Sequence, residues 1–112
     1  MAFPSPFSDR RSAPRLAANT RGVLVAPGLE MICLIMDLSA GGLRVRLDRS
    51  LSLPRAVQLV DVVAGTVCEA QVAWSKGLEA GLKCHARVHA LSGLVPARFT
   101  SARDAWLRAG GR

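Results

Sequence analysis

The sequence is divided into short β-forming runs that turn residues separate at regular intervals. Six runs fit this description: Arg21–Ala26, Glu30–Leu38, Leu43–Leu47, Ala56–Val63, Thr66–Trp74 and Glu79–Val88. Turn signals such as Pro27-Gly28 and Ala64-Gly65 interrupt them, and a loop spans Arg49–Arg55. Because no helical segments alternate with these strands, the pattern predicts an antiparallel barrel or sandwich and not an α/β fold.

The second and third runs also predict how the strands are buried. The second run, Glu30–Leu38, is apolar on both faces, so we expect a strand that is buried on both sides. In the third run, apolar residues alternate with Arg44 and Arg46, which is the period of a half-buried strand. These two arginines are expected on the outer surface, where one of them could also line a site beside Gly42.

The C-terminal end has a helical pattern. Ser101 and Asp104 have the spacing of a capping box, in which Asp takes the place usually given to Glu. The residues expected on the buried face of the helix are Ala102, Ala105, Trp106 and Ala109. Gly110-Gly111 should end this helix, and Trp106 is expected to pack it against the β-structure.

Positive charge is concentrated at the two ends of the chain. The 112 residues carry a formal net charge of +7, and 13 of the 15 basic residues are arginine. Residues 1–22 contain four arginines against one aspartate, whereas residues 23–82 contain five basic and six acidic residues. Arginine forms planar, bidentate contacts with phosphate and guanine, so the charge first suggests a nucleic-acid partner.

The cysteines indicate a reducing compartment. Cys33, Cys68 and Cys84 are odd in number, form no CxxC pair and lie in apolar stretches, as buried free thiols do. The first 30 residues lack the pattern of a signal peptide, so we expect a cytoplasmic protein. Cys84, His85 and His89 do not have recognisable zinc spacing, and we therefore expect neither a metal nor a cofactor.

One motif is too specific to arise readily by chance. Asp37, Ser39 and Gly42 form a DxSxxG pattern, which this composition would produce about 0.03 times by chance. Asp37 and Ser39 are two residues apart at a strand end, so both side chains are expected on the same side. Gly41 and Gly42 would permit positive φ or a close approach of the backbone to a ligand. An ordinary turn remains an alternative, because Asp, Ser and Gly are common turn residues.

Combined with the arginines that precede it, this motif resembles that of a known family. Arg10-Arg11 and Arg15 form an RxxxR pattern one strand before DxSxxG, and a run of antiparallel strands follows. The arrangement is similar to the PilZ domain family, whose members are six-stranded β-barrels that bind the bacterial second messenger cyclic di-GMP. Val72-Ala-Trp74 and Gly81-Leu82 resemble the family's last hairpin, although Cys84 stands where Phe is common.

The resemblance implies a domain organisation and a set of ligand-binding residues. Residues 1–8 would be a flexible tail, 9–98 the six-stranded antiparallel β-barrel with its arginine-rich segment, and 99–112 the C-terminal helix and tail. The residues that would bind cyclic di-GMP are Arg10, Arg11, Arg15, Asp37, Ser39 and Gly42. The protein would be a stand-alone receptor, without enzymatic activity, that passes the signal to an unidentified effector protein.

The implied roles follow the chemistry of guanine and phosphate. The forks of Arg11 and Arg15 fit either phosphate or the O6 and N7 acceptors of guanine, and Arg10 would assist them. Asp37 would accept hydrogen bonds from the guanine N1–H and N2–H₂ groups. Ser39 would contact a phosphate or a base edge, and Gly42 would keep the turn open.

Three alternatives remain at this point. A small nucleic-acid-binding domain would fit the charge, but the chain has no Tyr and only three Phe for base stacking. A PilZ-like domain that has lost its ligand would act as an interaction module. A Cys84–His85 nucleophile pair is disfavoured, because adjacent strand residues point to opposite faces and because Cys84 is expected in the core.

Overall fold

The structure, a computed structural model, describes residues 20–39, 42–50, 52–84 and 88–111, with residues 37–39 described as backbone. The strands are β1 (Thr20–Ala26), β2 (Leu29–Ser39), β3 (Gly42–Leu47), β4 (Ala56–Asp61), β5 (Thr66–Lys76), β6 (Glu79–Cys84) and β7 (His89–Ala90). A short 3-10 turn, Ala97–Phe99, leads into the helix α1 (Thr100–Arg108).

Six of these strands form a closed antiparallel barrel. The strand order is β4-β1-β2-β3-β6-β5, and pairing of β4 with β5 closes the sheet on itself. The short β7 adds to the first residues of β5, where Thr66 and Val67 pair with Ala90 and His89. The prediction of a six-stranded antiparallel barrel with a C-terminal helix is confirmed. Closure removes the sheet edges that would otherwise be open to pairing with other chains.

The barrel interior is filled by aliphatic and thiol side chains that alternate along the strands. Leu24, Val45 and Ala80 are completely buried there. Around them lie the other buried residues of the interior, which are Met31, Cys33, Ile35, Leu43, Leu47, Val57, Leu59, Cys68, Ala70 and Leu82. Because these side chains fill a small barrel, the residues between them in sequence point outward, which determines where a surface site can form.

A second core lies between the outside of the barrel and the helix. Val23, Val25 and Val60 face outward from β1 and β4, and they pack against Phe99 and Trp106. The Trp106 indole Nε1–H donates a buried hydrogen bond of 3.0 Å to the carbonyl oxygen of Val62. The predicted docking of the helix through Ala102, Ala105 and Trp106 is confirmed. As a result, β1 is buried on both faces and the helix covers one side of the barrel.

The prediction that β2 is buried on both faces is wrong. Its Met31, Cys33 and Ile35 are buried in the barrel, but Ile32 on the opposite face is 60% exposed. The buried face of the helix packs on β1 and β4, and this packing does not extend to Ile32 on β2. An apolar pattern on both faces therefore does not by itself identify the strand that a helix covers.

The predicted capping box is also wrong. The helix begins at Thr100, so Ser101 lies inside its first turn, and no side chain caps the helix through a hydrogen bond. The 3-10 turn provides the start instead, because the backbone N–H of Thr100 bonds to the carbonyl of Ala97. Phe99, which is completely buried, fixes the position of this junction. Burial of a large aromatic side chain thus outweighs a local capping signal.

Several strand ends differ from the predicted ones. β4 stops at Asp61, whose carboxylate accepts a 2.9 Å hydrogen bond from the Ala64 N–H and so starts a turn two residues early. β5 continues to Lys76. β6 stops at Cys84 and Val88 is exposed outside any strand, while residues 85–87 lie outside the described part of the chain. Among the described residues, no helix has the length and apolar character needed to cross a membrane.

Candidate ligand-binding site

The DxSxxG motif spans the connection between β2 and β3. Ser39 pairs with Gly42, Leu38 with Leu43, and Asp37 with Arg44. Both ends of the motif are thereby held in one antiparallel hairpin of β2 and β3, which we call the motif hairpin. This agrees with the predicted position of Asp37 and Ser39 at a strand end. The register is irregular between Ile35 and Asp37, which indicates a β-bulge immediately before the motif. Bulges change the direction of the side chains that follow, and they are common beside functional sites.

Gly42 is required by the close approach of another strand. A Cβ atom at this position would collide with the carbonyl oxygen of Leu82 in β6. The backbone of Gly42 does not adopt the positive φ that the sequence had suggested as one reason for a glycine. Its role is to let β3 and β6 pack together at the base of the motif hairpin.

The backbone register aligns four residues in a row across the sheet next to this hairpin. Asp37 lies opposite Arg44, Arg44 lies opposite Gly81, and Gly81 lies opposite Trp74. Arg44 points outward, because its neighbours Leu43 and Val45 are buried in the interior. We call Asp37, Arg44, Gly81 and Trp74 the outer row. It runs from the motif across β3 and β6 to β5.

The outer row ends in an exposed aromatic surface that the sequence analysis did not assign to the site. The indole of Trp74 lies directly on Gly81, where a side chain would collide with the indole ring. Trp74 nevertheless remains 47% exposed. An exposed indole over a glycine offers a flat surface on which a base could stack. Two features of the sequence could have indicated this surface. Trp74 and Gly81 lie on two strands that a short turn connects, and only 4% of the residues in the chain are aromatic.

Two arginines of this surface share one acid. Glu79 in β6 lies 3.6 Å from Nη1 of Arg44 and 4.0 Å from Nη1 of Arg46. All three side chains are partly exposed. Guanidinium groups that reach solvent can donate hydrogen bonds to a phosphate or to a base edge.

The arginines Arg10, Arg11 and Arg15 lie outside the described residues, so their contribution stays a prediction. The described chain nevertheless begins close to the motif, because Thr20 at the start of β1 pairs with Ile35 of β2. Arg15 is five residues before Thr20 in the sequence. Five residues of extended chain span at most about 18 Å.

Another concave surface is less suited to a ligand because its polar groups bind one another. A cavity of about 600 Å³ lies between the β1–β2 turn, the barrel and the start of α1. Within it, the Arg98 guanidinium lies 3.8 Å from Glu69, and Gln58 Nε2 donates a 3.0 Å hydrogen bond to the Arg98 carbonyl. The Arg98 guanidinium also lies over the Phe99 ring, 4.6 Å from its centre.

The described part of the chain contains no cluster of three or more His, Cys, Asp or Glu side chains that could share a metal ion. Of the residues considered for zinc, His85 lies outside that part. Cys33 and Cys68 are buried as expected. Cys84, which we expected in the core, is only partly buried.

Comparison with known proteins agrees with the geometry of the motif hairpin. The model of the PilZ domain family matches residues 9–94, which includes the arginine-rich segment, the motif and β1 to β7. No curated protein and no solved structure matches the chain. The match covers well over half of the sequence, and the closed barrel with its motif hairpin is the expected architecture. The chain is therefore a member of the PilZ domain family.

Proposed function

We propose that this protein is a cytoplasmic bacterial receptor for cyclic di-GMP that binds its ligand without turnover and passes the signal to an effector protein. PilZ domains are ligand-binding modules of this kind, and the family match supports the assignment. The observation that carries it is the alignment of the DxSxxG hairpin with the outer row, which combines guanidinium hydrogen-bond donors with an exposed indole. Cyclic di-GMP has the matching chemistry, namely two phosphates and two guanine bases.

Each part of this surface has a role in the proposed complex. Arg11 and Arg15, assisted by Arg10, bind phosphate or the O6 and N7 atoms of guanine through bidentate hydrogen bonds. Asp37 accepts hydrogen bonds from the N1–H and N2–H₂ groups, which adenine does not offer in this pattern. Ser39 contacts a phosphate or a base edge.

The outer row extends the set of proposed binding residues. Arg44 is held by Glu79 on the side of the barrel where the phosphates would approach. The exposed face of Trp74 is available for stacking against one of the bases. Gly42 keeps β6 in place beneath the hairpin. Binding through these groups requires no nucleophile and no general base.

Titration calorimetry with cyclic di-GMP tests the proposal. A charge-assisted hydrogen bond contributes about 1.5–3 kcal/mol, so Arg11→Ala and Arg15→Ala should weaken binding by roughly tenfold to over a hundredfold. Trp74→Ala should lose one stacking contact, about 1–3 kcal/mol, which is about fivefold to over a hundredfold in affinity. Asp37→Ala should reduce the preference for cyclic di-GMP over cyclic di-AMP.

Arg103→Ala is the matched control, because Arg103 is an exposed arginine of the helix, outside the motif and the outer row, and its loss changes the net charge equally. This variant should bind as the unaltered protein does. Each variant should retain a normal melting transition, which separates loss of a contact from loss of the fold. Unchanged affinity in both arginine variants would overturn the assignment. No binding by the unaltered protein would favour an interaction module that has lost its ligand.

A further inference from the structure

Two cysteines on neighbouring strands bring their sulfur atoms together. Cys68 lies in β5, and Cys84 is the last residue of β6. Cys84 pairs with Ala70, so the two cysteines are diagonal neighbours across the strand pair. Their Sγ atoms are 2.9 Å apart. Since a disulfide bond is about 2 Å long, the two sulfurs need to move by about 1 Å to bond.

The two thiols differ in access to solvent. Cys68 is 7% exposed and belongs to the barrel core, whereas Cys84 is only partly buried at the end of its strand. A reagent in solution can therefore reach Cys84 first. Cys33, the third cysteine, is 2% exposed in the barrel interior and provides an internal comparison.

Hydrogen bonding between the two sulfurs favours reaction at Cys84. When the Cys68 S–H donates to the sulfur of Cys84, it stabilises the Cys84 thiolate and lowers its pKa, although partial burial opposes this effect. The same hydrogen bond and burial raise the pKa of Cys68. Burial alone raises the pKa of Cys33 to about 12. The thiolate is the nucleophile in disulfide exchange, so Cys84 is the attacking group.

We propose that Cys68 and Cys84 are a reversible oxidation site that forms an intramolecular disulfide by exchange with a low-molecular-weight disulfide such as oxidised glutathione. In the first step the Cys84 thiolate attacks one sulfur of oxidised glutathione, a Cys84–glutathione disulfide forms and one glutathione thiolate leaves. In the second step Cys68 loses its proton to solvent, attacks the Cys84 sulfur and releases the second glutathione thiolate. The protein loses two electrons and two protons, and oxidised glutathione is reduced to two glutathione molecules.

The position of the pair gives the reaction a structural consequence. Leu82, two residues before Cys84, is the residue whose carbonyl oxygen lies against Gly42. A disulfide between Cys68 and Cys84 would tie the end of β6 to β5 beside the motif hairpin. This inference concerns the thiols alone and holds whether or not the chain binds a nucleotide.

Peptide mapping of the native chain tests the proposal directly. The protein is incubated with mixtures of reduced and oxidised glutathione, quenched in acid, treated with N-ethylmaleimide and digested with trypsin. Trypsin places the three cysteines on separate peptides, 22–44, 56–76 and 84–87. We expect a disulfide-linked species of 56–76 with 84–87, while 22–44 carries the maleimide. The linked species should disappear after dithiothreitol.

Two variants serve as controls. Cys33→Ala should form the same linked species, whereas Cys68→Ala should stop at the mixed disulfide and carry glutathione on peptide 84–87. Oxidised unaltered protein should also melt at a higher temperature than the reduced form, because the bond restricts the unfolded chain. Maleimide on all three peptides under oxidising conditions, or a link that involves Cys33, would overturn the proposal. Both readouts on the unaltered protein remain decisive if a variant fails to fold.

Discussion

Gly42 and Gly81 both allow a close approach, but to different kinds of atom. At Gly42 the neighbour is the carbonyl oxygen of Leu82, which is part of a paired strand and cannot rotate away. At Gly81 the neighbour is the indole of Trp74, which is partly exposed and can turn into solvent. The first glycine therefore maintains the pairing of β3 with β6. The second glycine leaves room for the indole against the strand.

Alanine at these two positions should separate stability from binding. Gly42→Ala should lower the free energy of unfolding by about 1–3 kcal/mol, because the added methyl group forces two paired strands apart. Gly81→Ala should lower the free energy of unfolding less. It should displace the indole, and so change the fluorescence emission of Trp74 and weaken the binding of cyclic di-GMP. Urea denaturation and calorimetry on both variants measure these effects. Equal losses of stability in the two variants would contradict this difference between a fixed carbonyl at Gly42 and a movable indole at Gly81.

The residues of the candidate site were predictable only where they lie close together in the sequence. DxSxxG is contiguous in sequence, so its position at a strand end followed from Asp37 and Gly42 alone. Trp74 joins the site through the register of β5 with β6 and of β6 with β3, and no local pattern encodes that register. The reason for Gly42 was likewise missed, since it depends on Leu82, which is 40 residues away in sequence.

At the scale of elements, the helix α1 is held to the barrel by apolar burial and two specific contacts. Its buried face rests on β1 and β4, and the Trp106 indole donates a hydrogen bond to the carbonyl of Val62, just after β4. Two residues further along the helix, the Arg108 Nε donates a 3.0 Å hydrogen bond to the carboxylate of Glu30 in β2. The helix start was mispredicted because this packing, and not a cap, decides where the first turn forms.

The buried Trp106 hydrogen bond should contribute measurably to stability. Trp106→Phe keeps an aromatic ring but leaves the Val62 carbonyl without its donor, which should lower the free energy of unfolding by about 1–3 kcal/mol. Leu107→Ala is the control, since Leu107 is exposed on the same helix and should change stability by about 0.5 kcal/mol or less. Urea denaturation followed by circular dichroism compares them. Equal stability of Trp106→Phe and the unaltered protein would show that the bond contributes nothing.

The Glu30–Arg108 pair should make a pH-dependent contribution to the free energy of unfolding. The hydrogen bond from Arg108, together with its charge, lowers the pKa of Glu30, and slight burial opposes this. The pKa of Glu30 is lower in the folded state than in the unfolded state. The pair therefore contributes fully to stability when the pH is above the unfolded-state pKa, and this contribution is lost as the pH falls through the folded-state pKa. It should be small, since both side chains are largely exposed.

Carboxyl carbon NMR titration measures the effect on Glu30 directly. In the unaltered protein Glu30 should titrate below the usual range of a glutamate, and in Arg108→Gln its pKa should return towards that range. Arg103→Gln provides the control, because Arg103 makes no ion pair among the described residues with Glu30. A Glu30 pKa that is the same in the unaltered protein and in Arg108→Gln would contradict the pairing.

At the scale of the whole molecule, the position of the positive charge is more informative than its total. Two arginines near the C-terminal end of the chain bind acids of the barrel: Arg98 lies beside Glu69, and Arg108 binds Glu30. They connect the helical end of the chain to the strands. Arg44 and Arg46 lie in β3, directly after the motif. The arginines before β1 precede the motif in the sequence.

The strand number and the antiparallel pairing were predictable because they follow from local patterns, whereas the choice of a closed barrel over a sandwich came from the resemblance to the PilZ family. Alternating residues such as Leu43 to Leu47 and the turn residues between runs determine short antiparallel strands. The second core was not predictable in the same way. Val23 and Val25 look like any apolar strand residues until Phe99 and Trp106 cover them, and that contact joins residues more than 70 positions apart.

Amide NMR of the ¹⁵N-labelled chain shows directly whether cyclic di-GMP binds on the outer row beside the motif hairpin. The two tryptophans give a built-in comparison, since the Trp74 indole is exposed on the outer row and the Trp106 indole is buried under the helix. On titration with cyclic di-GMP, we predict saturable shift changes at Arg44, Gly81 and the Trp74 indole N–H, with the Trp106 indole N–H unchanged. The absence of any saturable change, or changes around Trp106 in place of Trp74, would contradict the claim.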